Sequence, residues 1–242
     1  MGSIVPLLAV DSLSVGYNGM EVVSNVSFTL DKGEFLAVVG PNGSGKSTLL
    51  KGLFGLADVL GGKVLFDGRD ITRLAPHKRS LMGMGYLPQT GNVFEELTGR
   101  ENLVLAGYDL PREDFERRLE EVLDFLPEVR GFLNRKATTL SGGERQMLAL
   151  AMQLVRKPSL IMFDEPSAAL APKVVEHVFE RIRMLNKGLG ITVILVEQDT
   201  RRALKIAEKA LLLVSGRTRF YGDAGELLAR KDLVALYLGI QG

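Results

Sequence analysis

Residues Gly40 to Thr48 read Gly-Pro-Asn-Gly-Ser-Gly-Lys-Ser-Thr, and that order of residue types suits the binding of a phosphate chain. Gly40, Gly43 and Gly45 let successive backbone N–H groups turn toward an anion, and a helix starting behind them adds a favourable field. The spacing G-x-x-x-x-G-K-[ST] runs from Gly40 to Ser47, so Lys46 can neutralise the outer phosphates and Ser47 can offer its hydroxyl to magnesium. Pro41, Asn42, Ser44 and Thr48 complete the expected nucleotide-binding stretch. The plain alternative is a glycine-rich surface turn that carries a lysine. An apolar run before the loop and a helical pattern after it favour the phosphate site.

A carboxylate pair is expected downstream, and "LIMFDE" ends a buried-looking run in Asp164-Glu165. At the C-terminal end of a strand, two carboxylates lie where ligands bind in open α/β sheets. Asp164 suits magnesium through its water shell, and Glu165 suits the orientation and deprotonation of an attacking water. Both could instead simply terminate the strand and cap the next segment. A second glycine turn, "TLSGGERQ" from Thr139 to Gln146, opens another helix. Its plain reading is Ser141 as the N-cap of a helix beginning near Glu144.

These residues need a scaffold. Phe35–Val39, Leu160–Phe163, Ile191–Val196 and Ala210–Val214 are short apolar runs without polar alternation, the pattern of strands buried on both faces. Between them lie helix-period segments: Leu49, Leu50, Leu53 and Phe54 share one face, with Gly61-Gly62 as the expected stop. Phe115, Leu119, Val122, Leu123 and Leu126 share another, opposite a charged face in "REDFERRLEE" that reads as solvated. Strands separated by helices imply an α/β fold with a mainly parallel sheet covered on both sides. "VVSNVSFTL" and "GGKVLFDGRDI" instead resemble strands joined by turns, with Asp67-Gly68 a hairpin signal, so an antiparallel sheet should lean on the parallel core.

The chain has 242 residues and 46% hydrophobic content, enough for a sizeable core. With a formal net charge of +1 and both signs spread along the chain, a nucleic-acid partner driven by a strongly basic surface is not indicated. The absence of cysteine rules out disulfides and thiolate metal sites and fits a reducing compartment. The start, "MGSIVPLLAVDSL", makes a poor signal peptide, and Pro6 breaks the glycine-myristoylation pattern. No apolar stretch approaches the roughly 20 residues of a membrane span.

"GPNGSGKST", "YLPQT", "LSGGERQ" and "LIMFDEP", in that order, resemble the ATP-binding cassette (ABC) ATPases over essentially the whole chain. The resemblance implies a P-loop NTPase fold with a mainly parallel core sheet, an N-terminal antiparallel β-subdomain and a helical subdomain. It implies one ATPase domain over residues 1–242, with a nucleotide-binding core at roughly 1–88 and 156–242 and a helical insert at roughly 89–155. ATP and Mg2+ would be the cofactors, with Ser47, Gln89 and Asp164 on the metal and Glu165 and Gln198 as catalytic residues. Tyr17, in "VGYNG", falls where the family places an aromatic against adenine.

The second glycine turn acquires a purpose from the same resemblance. Each nucleotide would lie between the Lys46 loop of one cassette and Ser141, Gly142 and Gly143 of another, in a head-to-tail pair of this chain with itself or a paralogue. Transmembrane permease subunits would be driven by that pair, a solute-binding protein would take part indirectly, and no nucleic acid is expected. The location implied is cytoplasmic, peripheral on the inner face of the cell membrane.

Two positions depart from the family pattern. "ILVEQD" puts Gln198 where a histidine usually contacts the γ-phosphate, and Ala171 stands where aspartate is common. His77 and His177 match no motif and read as ordinary surface residues. "EPSAALAP", "VEQ" and the ending "ALYLG" look similar to the ATP-binding subunits of importers for branched-chain amino acids and amides, although Gln89 stands where glutamate is often found there. Competing readings are a soluble ABC ATPase acting on ribosomes or DNA, and a nucleotide-gated interaction module with weak hydrolysis.

Overall fold

The computed structural model describes residues 5–230; the "ALYLG" ending lies outside the described residues. β1 (Leu8–Tyr17) and β2 (Met20–Leu30) form an antiparallel hairpin. Its turn residues Asn18 and Gly19 have φ of 50° and 79°, the left-handed geometry whose twist matches that of the strands. β3 (Phe35–Val39) feeds the glycine loop, and α1 (Lys46–Phe54) starts directly behind it. The helix ends at Gly55, whose φ of 84° turns the chain out of the helix at no Cβ cost. Gly61-Gly62, the expected stop, instead lies inside β4 (Asp58–Phe66). A left-handed glycine immediately after the last apolar helical residue is the stronger terminator. Asp67-Gly68 then turns β4 into β5 (Arg69–Asp70).

α2 (Pro76–Leu81) and β6 (Met84–Leu87) come next. They are succeeded by α3 (Gly99–Ala106), α4 (Arg112–Phe125), two short 3-10 turns at Pro127–Phe132 and Ala137–Thr139, and α5 (Gly142–Leu154). The chain then alternates through β7 (Leu160–Asp164), α6 (Pro172–Leu189), β8 (Thr192–Val196), α7 (Thr200–Ile206) and β9 (Lys209–Val214). β10 (Arg217–Asp223) and α8 (Ala224–Ala229) complete the described elements.

Two sheets result, one in the order β2-β1-β4-β5 and one in the order β10-β9-β3-β8-β7-β6. The first is antiparallel; the second is parallel except for its β10 edge. Strand pleating divides the apolar residues between two cores. Phe35, Ala37, Ile161, Phe163, Val193 and Leu195 face the helices, and Leu36, Val38, Leu160, Met162, Ile194 and Val196 face α1 and the antiparallel sheet. Strands covered on both faces cannot show polar alternation, which is why they read as continuous apolar runs.

Parallel register places the chemistry. Asp164 pairs with Val196, so Glu165 and Glu197-Gln198 emerge side by side at the carboxyl end of the sheet. At the other end of α1, the buried Arg79 donates through Nη1 to the carbonyls of Gly52 (3.0 Å) and Leu53 (2.6 Å). It also reaches Leu74 (2.9 Å, through Nε) and Thr72 (3.0 Å, through Nη2). Burial pulls its pKa down to about 10, which leaves the guanidinium charged at neutral pH, a cation placed where a helix leaves carbonyls unpaired.

α4 buries Phe115, Leu119, Val122 and Leu123 and turns its charges outward. His77 is exposed. His177 is more than a surface residue: its Nε2 lies 3.0 Å from Glu128 Oε1, and Arg181 holds the same carboxylate. That cluster ties α6 to the helical segment between β6 and β7.

Candidate active site

The loop from Gly40 to Gly45 needs its glycines. Gly40 has φ of 150°, and a Cβ there would lie 2.0 Å from the Leu213 carbonyl oxygen, closer than any side chain permits. Lys46 is buried, and its Nζ donates to the carbonyls of Gly40 (2.9 Å) and Pro41 (3.0 Å), folding the side chain back over the loop. Burial lowers the Lys46 pKa, while the charges of Glu165 and Asp164 pull it back up. Inside the loop, the Ser44 hydroxyl is buried with no hydrogen-bond partner. A buried hydroxyl left this way marks a place for a further polar atom, and phosphate oxygens on a helix N-terminus supply one.

Asp164 comes off β7 nearly buried. Ser47 Oγ donates to its Oδ1 at 2.7 Å, and the Tyr86 hydroxyl donates to its Oδ2 at 3.1 Å. Burial pushes the Tyr86 pKa well above the usual phenol range, and the Asp164 charge adds to the effect. The phenol therefore stays a donor. The Asp164 carboxylate and the Ser47 hydroxyl supply hard oxygens of the kind that suits Mg2+ shared with waters and phosphates.

Glu165 has φ of 50°, a left-handed conformation that costs a non-glycine residue about 1 kcal/mol or more. Its N–H holds the Val196 carbonyl at 3.0 Å. Its Oε2 accepts from two amides, Gln198 Nε2 at 2.6 Å and Gln89 Nε2 at 3.2 Å. The structure thus joins Glu165, Gln198 and Gln89 in one group and Ser47 with Asp164 in another.

Sequence reasoning missed two members of this neighbourhood. Tyr86 lies three residues before Gln89 and reads as an apolar strand residue. Glu197 precedes Gln198 and is 2% exposed. Its Oε1 accepts from the Ser167 N–H and its Oε2 from the Gln198 N–H, both at 3.2 Å. Burial raises its pKa, the bonds from Ser167 and Gln198 oppose that rise, and the charge of Glu165 reinforces it. The available signal was a charged residue continuing the apolar run of β8.

Ser141 caps α5 through a capping box. The Ser141 N–H donates to Glu144 Oε2 at 2.7 Å, and the Glu144 N–H donates to Ser141 Oγ at 3.2 Å. Ser141 is thus the N-cap of a helix whose first residue is Gly142, with Glu144 in its first turn. These hydrogen bonds stay within that turn, and Gly142 and Gly143 lie against Leu170 and Val174. Tyr17 ends β1 with its ring partly exposed, in the sheet whose Val23 lies against Gly45. Ala171 is the N-cap of α6 and offers no side-chain acceptor.

The model of the ABC transporter family matches residues 23–168. The chain is 50% identical to "Probable branched-chain amino acid transport ATP-binding protein LivF" of Archaeoglobus fulgidus over 97% of this chain and 99% of that one. Its structure is similar to that of an ATP-binding cassette of an ABC transporter in its ADP conformation, with a TM-score of 0.85, 26% identity, and coverage of 97% of this chain and 99% of that one. It is also similar to a dimeric post-hydrolysis ATP-binding cassette bound to ADP and Pi, with a TM-score of 0.77, 27% identity, and coverage of 90% and 98%. Among the described residues, no helix is long and apolar enough to cross a membrane.

Proposed function

The chain belongs to the ABC transporter family and is an ATPase, and we propose that it is the energy-coupling subunit of an importer for branched-chain amino acids or related amides. One observation carries the reading: Lys46, the Ser47–Asp164 pair and Glu165 meet at the carboxyl end of one sheet. The cargo rests on the likeness to a branched-chain amino acid transport protein along nearly the whole chain. That likeness favours transport over action on ribosomes or DNA.

In the proposed site, Lys46 exchanges its loop carbonyls for phosphate oxygens, and the Ser44 hydroxyl gains the partner it lacks. Ser47, Asp164 and Gln89 would hold Mg2+, which neutralises phosphate charge when bound. Glu165 orients the attacking water and takes its proton. Gln198 donates its amide to a phosphate oxygen but carries no proton. Tyr17 stacks on the adenine.

Ser141, Gly142 and Gly143 act on the nucleotide of a neighbouring cassette. The Ser141 hydroxyl accepts from Glu144 as a cap and keeps its own proton, so it can cap the helix and donate to a γ-phosphate together. A head-to-tail pair of this chain, or of this chain with a paralogue, would enclose two nucleotides and drive permease subunits from the cytoplasmic face of the membrane, with a solute-binding protein delivering cargo to the permease.

Glu165→Gln should form a dimer in the presence of ATP. A monomer at saturating ATP, measured by light scattering after size exclusion, would refute the shared site. For the importer role, co-purification from membranes should recover permease subunits, and their absence counts against it.

A further inference from the structure

Between β7 and α6 the chain runs through two left-handed residues, Glu165 (φ 50°) and Ala169 (φ 60°). Such conformations persist only where their surroundings hold them. Two hydrogen bonds anchor this stretch to the end of β8: the Glu165 N–H on the Val196 carbonyl at 3.0 Å and the Ser167 N–H on Glu197 Oε1 at 3.2 Å. The other oxygen of the same carboxylate takes the Gln198 N–H at 3.2 Å. The carboxylate gives each of the two amides an oxygen of its own.

We propose that Glu197 is a positioning residue for ATP hydrolysis: its buried carboxylate ties Ser167 and Gln198 to one point, so that the loop after Asp164-Glu165 and the residue facing the γ-phosphate move together. The inference rests on the transport-ATPase reading and adds to it a residue whose own contacts are with the main chain. Gln198 Nε2 holds Glu165 at 2.6 Å; a shift of the Gln198 backbone therefore moves the base as well. The loop beyond Ser167 leads through Leu170, which lies against Gly142 of the second glycine turn. One carboxylate thus bridges the catalytic end of β8 and the stretch that leads toward Ser141–Gly143.

Glu197→Gln tests the two bonds to the main chain. The glutamine keeps the volume but replaces one acceptor oxygen with an NH2 group, which cannot receive an amide N–H. Glu197→Met, of similar volume and apolar, serves as a second variant should the first not fold.

The test compares Glu197→Gln, Gln198→Ala and the double variant by steady-state phosphate release, together with amide hydrogen exchange of the nucleotide-free chain. The expected result for Glu197→Gln is a fall in kcat of about 10-fold, the usual scale for losing a residue that orients a catalytic group, with KM for ATP within about 2-fold. Exchange at 167–171 and at 198 should quicken together. The double variant should be no more than about 3-fold slower than Gln198→Ala, because both changes cut the same linkage. Multiplying effects, or unchanged exchange at 167–171, overturn the proposal. A wild-type chain with no ATPase activity overturns the functional reading, and the exchange measurement then still decides whether Glu197 ties the two segments.

Discussion

Tyr86→Phe removes one oxygen atom and leaves the ring in place against Phe54, whose centroid lies 5.5 Å away. What disappears is the 3.1 Å bond to Asp164 Oδ2. A hydrogen bond to an ionised acceptor contributes about 1.5–3 kcal/mol, and 3.1 Å is at the long end for O–H···O, so about 1.5 kcal/mol is expected. Both partners are nearly buried, so water does not replace the lost donor cheaply. In a chain of this size, that energy corresponds to a fall in Tm of about 3–6 °C. The same loss leaves Asp164 steered by Ser47 alone. Misorientation worth about 1.4 kcal/mol is a tenfold change, so the Mg2+ concentration for half-maximal ATPase activity should rise about 10-fold, in line with other residues that orient metal ligands. The assay is a Mg2+ titration at saturating ATP, with thermal unfolding of the nucleotide-free chain alongside. A half-saturation within about 2-fold of wild type and an unmoved Tm would refute the assignment of Tyr86 to the Asp164 carboxylate.

Tyr17→Ala should raise the KM for ATP about 10-fold while kcat stays within about 2-fold, since stacking on a base contributes about 1–3 kcal/mol and takes no part in the chemistry; an unchanged KM removes Tyr17 from the site. Arg79→Met should cost about 3 kcal/mol by removing the donor that the carbonyls of Leu53, Leu74 and Thr72 share and that Gly52 has beside the Gly55 N–H, lowering Tm by about 6–12 °C, and Arg79→Lys should recover less than half of that because one ammonium cannot span the set. Ala171→Asp should add the missing N-cap of α6 and raise Tm by about 2–4 °C, from a cap contribution of about 1 kcal/mol; a lowered Tm would mean the cap geometry is not what limits that helix end.

Signals carried by consecutive residues were legible in the sequence. Gly40–Thr48 is one continuous stretch whose expected turn and following helix are both present, and Phe35–Val39 and Leu160–Phe163 announce buried strands by being apolar on both faces. Asp67-Gly68 identified its hairpin from the dihedral demands of two residues. Signals that depend on register were not legible. Tyr86 looks like core because its ring is core; only the pairing of β6 with β7 brings its hydroxyl to Asp164. Glu197 looks like a strand-ending charge, and its meaning depends on β8 lying beside β7. Gly55 lost to Gly61-Gly62 as the expected stop because a glycine pair looks stronger than a single one, whereas position directly behind the last helical residue is what a C-cap requires. His177 has no motif, and its partner Glu128 is remote in sequence.

The arrangement around Glu165 links binding to chemistry in the proposed cycle. Gln89 lies just past β6 and Gln198 just past β8, so β7 delivers Glu165 between them, and both amides converge on the same oxygen. A carboxylate can only accept, so each glutamine must turn its NH2 toward Oε2 and its carbonyl away. In that state both donors sit on Oε2. In the proposed site, phosphate oxygens would offer Gln198 a competing acceptor, and Ser47, Asp164 and the Gln89 carbonyl would hold Mg2+. Each change would withdraw one donor from Oε2. In the proposed cycle the two amides would leave Oε2 from opposite sides, one toward the phosphate end and one toward the metal end of the same nucleotide. Because glutamine, unlike histidine, carries no proton in this pH range, Glu165 is the proposed acceptor of the proton from water.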